Sequence, residues 1–245
     1  MFASPIRGVT FDFWNTIVAE NPEAWLIRVR AQAGLLADAG IERSDEDLQA
    51  AAKRMWEWFH ESWHANTPAD HLMAGSRLVV ELGLADHAEA PRLGEEFADV
   101  YRRGSDPATM TIAPGVADAL AALSERGVRI GIISDVGFTP SVTLRTYLDH
   151  HGLLRYFDGW TFSDEVGEFK PSPTMFTHAA GTLGIDDPAA LAHIVDLHRT
   201  DVSGALAAGW TAVRYRGLND DEQAVADVAP VIDHHDELLE VLGLG

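Results

Sequence analysis

The sequence predicts an α/β protein, a parallel sheet flanked by helices with a long all-helical segment inserted after the first strand. Two observations carry this expectation. From about residue 113 onward, short apolar runs of strand length alternate with helix-length stretches, the pattern that builds a parallel sheet. Between the first apolar run and that alternation, residues 21–103 read as helix after helix with no convincing strand.

The first strand is Val9-Thr10-Phe11, β-branched and aromatic, and Asp12 stands where the run ends. Asn21-Pro22-Glu23 reads as a helix start, with Asn21 as N-cap, and the helix is expected to run to Gly40. Ser44 followed by Asp45-Glu46-Asp47 caps a second helix, whose acidic first turn suits the macrodipole. Met55, Trp56, Phe59 and Trp63 share one face of it, a spacing that fits the core of the helical segment. Pro68 and Asp70 break the chain before two further helices, Leu72–Leu82 and Ala90–Arg103. Then follow a helix Pro114–Arg126, a strand Val128–Ile133, a helix Pro140–Leu148, a strand Gly159–Phe162 and a helix Pro173–Leu183. A strand His193–Val195, a helix Asp201–Ala208, a strand Thr211–Tyr215, the pair Val231-Ile232 and a helix Asp236–Leu242 complete the chain.

Bulk properties narrow the function. With 245 residues, 47% hydrophobic and 23% charged, the chain can bury a sizeable core. It has no cysteine, which excludes disulfides and thiolate metal sites and fits a reducing compartment. The N-terminal residues lack a signal-peptide pattern and no apolar run is long enough to span a bilayer, so a cytoplasmic protein is expected. A formal net charge of −20 repels nucleic acid and anionic lipid, leaving a small molecule as the expected partner. Lys53 and Lys170 are the two lysines among 18 basic residues, and so each is a candidate for a site that needs a compact ammonium.

Polar groups gather where strands end. Asp12 follows the first strand, Ser134-Asp135 follows Ile132-Ile133, Lys170 follows Phe162 by a short loop, and Asp196 follows Val195 with Asp201 five residues later. In a parallel sheet all these termini lie on one edge, where ligands bind. Carboxylates with one lysine and one hydroxyl suit Mg²⁺ and a phosphate: the hard cation takes oxygen ligands, and the lysine offsets phosphate charge.

These residues, and above all the runs SDEVGEFKPSPTMF and HIVDLHRTDVSGALAAGW, resemble the haloacid dehalogenase superfamily. The resemblance covers essentially the whole core. It implies a Rossmann-like core over residues 1–18 and 108–245, with residues 19–107 as a helical cap, a lid over the active end of the sheet. It further implies Asp12 as a nucleophile that forms an aspartyl-phosphate in phosphatase members. Ser134 would hydrogen-bond the transferred group, Lys170 would hold nucleophile and phosphate together, and Thr16 would orient the nucleophile's loop. Asp12, the Trp14 carbonyl and Asp196 would bind Mg²⁺, with Asp201 supporting the metal or the lysine.

Three positions depart from the family pattern. Phosphatase members normally carry a second aspartate two residues after the nucleophile, as the acid for the leaving oxygen; here it is Trp14, whose indole cannot shuttle protons. General acid–base help is worth about 10²–10⁴ in rate, so a substitute is needed or turnover is slow. His60, His64, His71, Asp135 and His198 are candidates, with His198 foremost because it follows Asp196. Val195 stands where glycine is expected before Asp196, and Asn15 replaces the glycine often found before Thr16, a change that turns tolerate.

The leading expectation is therefore a Mg²⁺-dependent phosphatase of a small organic phosphate. Trp14, Trp25, Trp58 and the Met55 stripe suggest a bulky or ring-bearing substrate. A 2-haloacid dehalogenase, a phosphonatase-like hydrolase and a protein of weak or lost catalysis stay open as alternatives. Lys53 is the candidate Schiff-base lysine of the second, but with Arg54 beside it on an amphipathic helix and no phosphonatase cap motif around it, it reads as part of a solvated face.

Overall fold

The computed structural model describes residues 4–221 and 228–245. The chain divides into two compact units. One comprises Met1–Glu20, Met110–Asp135 and Tyr147–Gly245; the other comprises Asn21–Thr109 and Val136–Thr146.

The elements run in chain order as β1 (Gly8–Phe11), β2 (Val18–Ala19), α1 (Ala24–Asp38), α2 (Asp45–His64), α3 (His71–Glu81) and α4 (Ala90–Arg103). Next come β3 (Thr111–Ile112), α5 (Val116–Glu125), β4 (Arg129–Ser134), α6 (Ser141–His150), β5 (Gly159–Phe162), α7 (Ser163–Val166) and α8 (Pro173–Leu183). The last are β6 (Leu191–Val195), α9 (Ser203–Ala207), β7 (Thr211–Tyr215), β8 (Val231–Ile232) and α10 (Leu238–Val241).

In the first unit six strands form a parallel sheet in the order β5-β4-β1-β6-β7-β8. The central strand β1 is buried along its whole length, and that is why Gly8-Val9-Thr10-Phe11 reads as an unbroken run rather than an alternating one. Register puts the polar ends level: Phe11 pairs with Ile132 on β4 and with Ile194 on β6, so Asp12, Ser134 and Asp196 emerge within one or two residues of each other. One core layer packs Met175, Phe176, Ala179 and Leu183 of α8 against Ile133, Leu191 and Val195 of the sheet.

The helical unit holds α1 to α4 around Val29, Leu36, Leu48, Leu78, Leu93 and Phe97. Ser44 caps α2 as expected, in a box where its Oγ accepts from Asp47 N (3.1 Å) while Asp47 Oδ2 accepts from Ser44 N (3.4 Å). Gly40 ends α1 with φ +70°, a left-handed stop suited to glycine. Met55 and Phe59 are buried, and Phe138 packs against Trp56, Phe59 and Tyr101. The stripe on α2 is thus core of this unit.

Three sequence expectations are corrected, and one pair of strands was not expected. Asn21 is not the N-cap of α1: its Oδ1 accepts from Glu23 N (2.8 Å) and its carbonyl from Ala24 N (2.9 Å), closing a turn before the helix begins at Ala24. Asp201 does not begin a helix but lies inside a π-helical turn, His198–Val202, that leads into α9. The final helix is shorter than expected, a 3₁₀ turn His235–Glu237 followed by α10. The two-residue strands β2 and β3 pair antiparallel and are too short for periodicity to reveal. No helix among the described residues is long and apolar enough to cross a membrane.

Candidate active site

The site is built on the strand ends of the first unit. Asp12 is 6% exposed, placed by β1 and held by its own N–H, which donates to the Ile194 carbonyl at 2.8 Å. The Lys170 ammonium, 4% exposed, donates to Asp12 Oδ1 (2.6 Å), to the Ile133 carbonyl (3.2 Å) and to Asp201 Oδ1. That second bond sets Lys170 beside the peptide that precedes Ser134, a fully buried serine at the end of β4. Asp135, the next residue, accepts from Lys170 N (3.0 Å) through Oδ1 and so fixes the lysine's backbone.

Asp201 is fully engaged. Its Oδ1 takes Lys170 and His193 Nε2 (3.3 Å), and its Oδ2 accepts from Thr200 Oγ1 (2.5 Å). Burial alone would raise its carboxyl; the Lys170 charge and the His193 hydrogen bond outweigh burial and hold it below the ordinary carboxylate range. Burial likewise opposes the charge on Lys170, but Asp12 and Asp201 keep its pKa above the usual value. Asp12 goes the other way: burial, reinforced by the Asp201 charge, pushes it up to about 6 against the opposing ammonium. Asp196 is pushed to about 8 by burial and then by Asp12 and Asp201.

Asp12 and Asp196 are therefore buried carboxyls whose charged forms Lys170 does not fully stabilise. No group of three or more His, Cys, Asp or Glu side chains among the described residues is arranged to hold a metal. Mg²⁺ does not require one, since it commonly takes one or two carboxylates and completes its shell with water and substrate oxygens. Burial and the neighbouring carboxylates disfavour the charged forms of Asp12 and Asp196, and a divalent cation beside them would reverse that, so these oxygen donors fit that ion.

The loop after Asp12 is a tight turn. Ile17 N and Val18 N both donate to the Phe13 carbonyl (3.0 and 3.1 Å), and Asn15 adopts φ +56°, which asparagine tolerates. Trp14 is half-buried, its ring edge-on to Phe13 (5.0 Å) and to Tyr147 (6.3 Å). Thr16 is buried; its Oγ1 has no hydrogen-bond partner among the described residues, and its carbonyl accepts from His235 Nε2 at 2.8 Å. Burial lowers the His235 pKa to about 4, so the ring is neutral and donates through Nε2.

The other candidates make no hydrogen bond to Lys170, Asp12 or Asp201 among those described. His198 anchors its backbone N–H on Asp221 Oδ2 (2.9 Å), and its Nε2 is buried without a partner among the described residues. His60, His64 and His71 belong to the helical unit, where the first two are exposed. Lys53 is on the same unit, its side chain 77% exposed and 4.0 Å from Glu57, which fits a solvated face rather than a desolvated amine.

Sequence reasoning missed His193. It lies fully buried in β6, opposite Thr10 in register, with Nδ1 2.9 Å from Thr10 Oγ1 and Nε2 on Asp201. The signal was a polar side chain inside an apolar strand just before an acidic end, a placement that demands a partner.

The family model for haloacid dehalogenase-like hydrolases matches residues 6–209. The chain belongs to that family. Among relatives of this haloacid dehalogenase-like hydrolase are a glyceraldehyde 3-phosphate phosphatase from Methanopyrus kandleri, 27% identical over 97% of both chains, and a phosphoglycolate phosphatase from Salmonella typhi, 27% identical over 98% of this chain and 93% of that one. A 2-haloacid dehalogenase from Pseudomonas syringae shares the fold at TM-score 0.71 and 24% identity, over 97% of this chain and 98% of the other.

Proposed function

We propose that this hydrolase is a Mg²⁺-dependent phosphatase of a small organic phosphate, working through an aspartyl-phosphate on Asp12. The observation that carries the reading is the Lys170 ammonium bonded both to Asp12, at the end of β1, and to Asp201, in the turn that follows β6. Two relatives named as phosphatases, similar over nearly the whole chain, support it.

In this reading Asp12 attacks phosphorus and the ester P–O bond breaks. Lys170 neutralises the nucleophile and the phosphoryl oxygens, while Asp201, saturated by Lys170, His193 and Thr200, keeps the ammonium aimed. Ser134 donates its hydroxyl to the phosphoryl group, and the Thr16 turn sets the approach of Asp12. Asp12, the Trp14 carbonyl and Asp196 would hold Mg²⁺, with Asp201 behind them; the ion would supply charge neutralisation at the phosphoryl oxygens. The leaving oxygen needs a proton that the Trp14 indole does not give, and His198 is the proposed donor. The helical unit is the proposed cap, and its aromatic side chains favour a bulky or ring-bearing substrate.

Hydrolysis of p-nitrophenyl phosphate, stopped by EDTA and restored by Mg²⁺, is the expected result. Trp14 in place of a second acid also favours a dehalogenase, in which Asp12 attacks carbon. Halide release from a 2-haloacid in EDTA, with no phosphatase activity, would replace the first reading with the second.

A further inference from the structure

Three consecutive residues of the loop after β7 are tied down, two of them to the segment around Asp196 and one to β7. Asn219 Nδ2 donates to Asp196 Oδ2 at 2.9 Å. Asp220 Oδ1 accepts from Arg214 Nη1 at 2.8 Å, and Arg214 is the register partner of Val195, the residue before Asp196. Asp221 Oδ2 accepts from His198 N at 2.9 Å, two residues past Asp196. The loop is thus fastened at Asn219 and at the two residues that follow it, which leaves that amide little freedom to turn away.

We propose that Asn219 is a positioning residue for the metal: its amide fixes the Asp196 carboxylate as a Mg²⁺ ligand through Oδ2, presenting the other oxygen to the ion. This rests on the Mg²⁺ reading given above. The residue type has a physical reason. An arginine or lysine in this place would cancel the carboxylate's charge, and an aspartate would repel it. A neutral amide donor orients Asp196, which is 2% exposed, and places no competing positive charge beside it. Outer hydrogen bonds of this kind set ligand orientation and, when removed, weaken metal affinity by about 10–100-fold.

The test is Mg²⁺ binding to the full chain by isothermal titration calorimetry, with no substrate present. Asn219→Ala is expected to raise the Mg²⁺ dissociation constant by about 10–100-fold. Its kcat at saturating Mg²⁺ and its KM for p-nitrophenyl phosphate should change far less. Asn219→Leu, which keeps the volume, should repeat the loss and serves if the alanine variant does not fold; Asn219→Ser, which keeps a donor, should recover part of it. Asp220→Asn breaks the Arg214 tie on the same loop and should leave Mg²⁺ affinity near the wild-type value. A folded Asn219→Ala or Asn219→Leu protein with wild-type Mg²⁺ affinity would overturn the assignment. So would an Asp220→Asn protein weakened as much as Asn219→Ala, because loop order rather than the amide would then be responsible. A wild-type chain that binds no Mg²⁺ would remove this assignment and the Mg²⁺ reading together.

Discussion

Lys170→Met removes the buried ammonium while keeping most of the side chain's length. The ammonium serves two carboxylates, Asp12 at 2.6 Å and Asp201, both buried. Removing one partner of a buried ion pair costs about 3–5 kcal/mol, because the charge left behind has neither water nor a counter-ion. Protonation limits the loss. Asp12 is already pushed up to about 6, so taking up a proton at pH 7 costs at most about 1.4 kcal/mol. Asp201 carries the remainder, since it loses the charge that outweighs its burial. The expected destabilisation is therefore about 3–5 kcal/mol at pH 7, or roughly 6–20 °C in Tm.

The pH dependence has a definite sign. In the wild type the depressed Asp201 carboxyl contributes stability that is present above its unfolded value of 3.8 and lost as pH falls through the lower folded value. Asp12 is raised already in the wild type, where it favours the fold below 3.8 and loses that advantage as pH rises through its folded pKa; in the variant both carboxyls lack the ammonium that lowers them, and burial holds each above its wild-type position. The variant therefore regains stability by protonating both carboxyls on going from pH 7 toward pH 4, while the wild-type Asp201 contribution persists down to 3.8, so the gap between them narrows. Urea denaturation of the metal-free proteins at the two pH values measures it. A loss under about 1 kcal/mol at pH 7, or a gap that widens in acid, would refute the ion-pair reasoning.

Three further outcomes are expected. Asp12→Asn should lower p-nitrophenyl phosphate hydrolysis by at least about 10³-fold, with the melting transition retained because Lys170 keeps its bond to Asp201. His235→Phe should cost about 1–3 kcal/mol in urea, since it leaves the Thr16 carbonyl without its donor, and should lower kcat more than it raises KM because the turn after Asp12 loosens. Ser44→Ala should cost about 0.5–2 kcal/mol by loss of the α2 cap, with kcat per folded molecule unchanged.

Where periodicity and end signals were long or chemically distinct, the sequence could be read directly. The Ser44 cap, the α4 bounds and the α8 bounds match their expected positions, because caps and helix-length amphipathic runs are local. The apolar runs ending in Asp12, Ser134 and Asp196 could be read because a buried strand leaves a continuous signature up to its polar end. The start of α1 was misread because Asn21 followed by proline suits both a cap and a turn, and only the bonds it makes tell them apart. The segment Val136–Thr146 grouped with the helical unit although the sequence placed it in the core, because nothing local marks which unit Phe138 packs into.

The sequence by itself determined the strand–helix alternation, the helical insertion and which polar residues stand at strand ends, since each depends on neighbours within a few residues. Only the tertiary structure decided what those residues touch. Lys170 meets Asp12 across 158 residues, His235 reaches the Thr16 carbonyl across 219, and Asn219 finds Asp196 from a loop one strand away. Such contacts follow from strand order and register, which set positions to within a residue, and chain-local propensity carries no information about either.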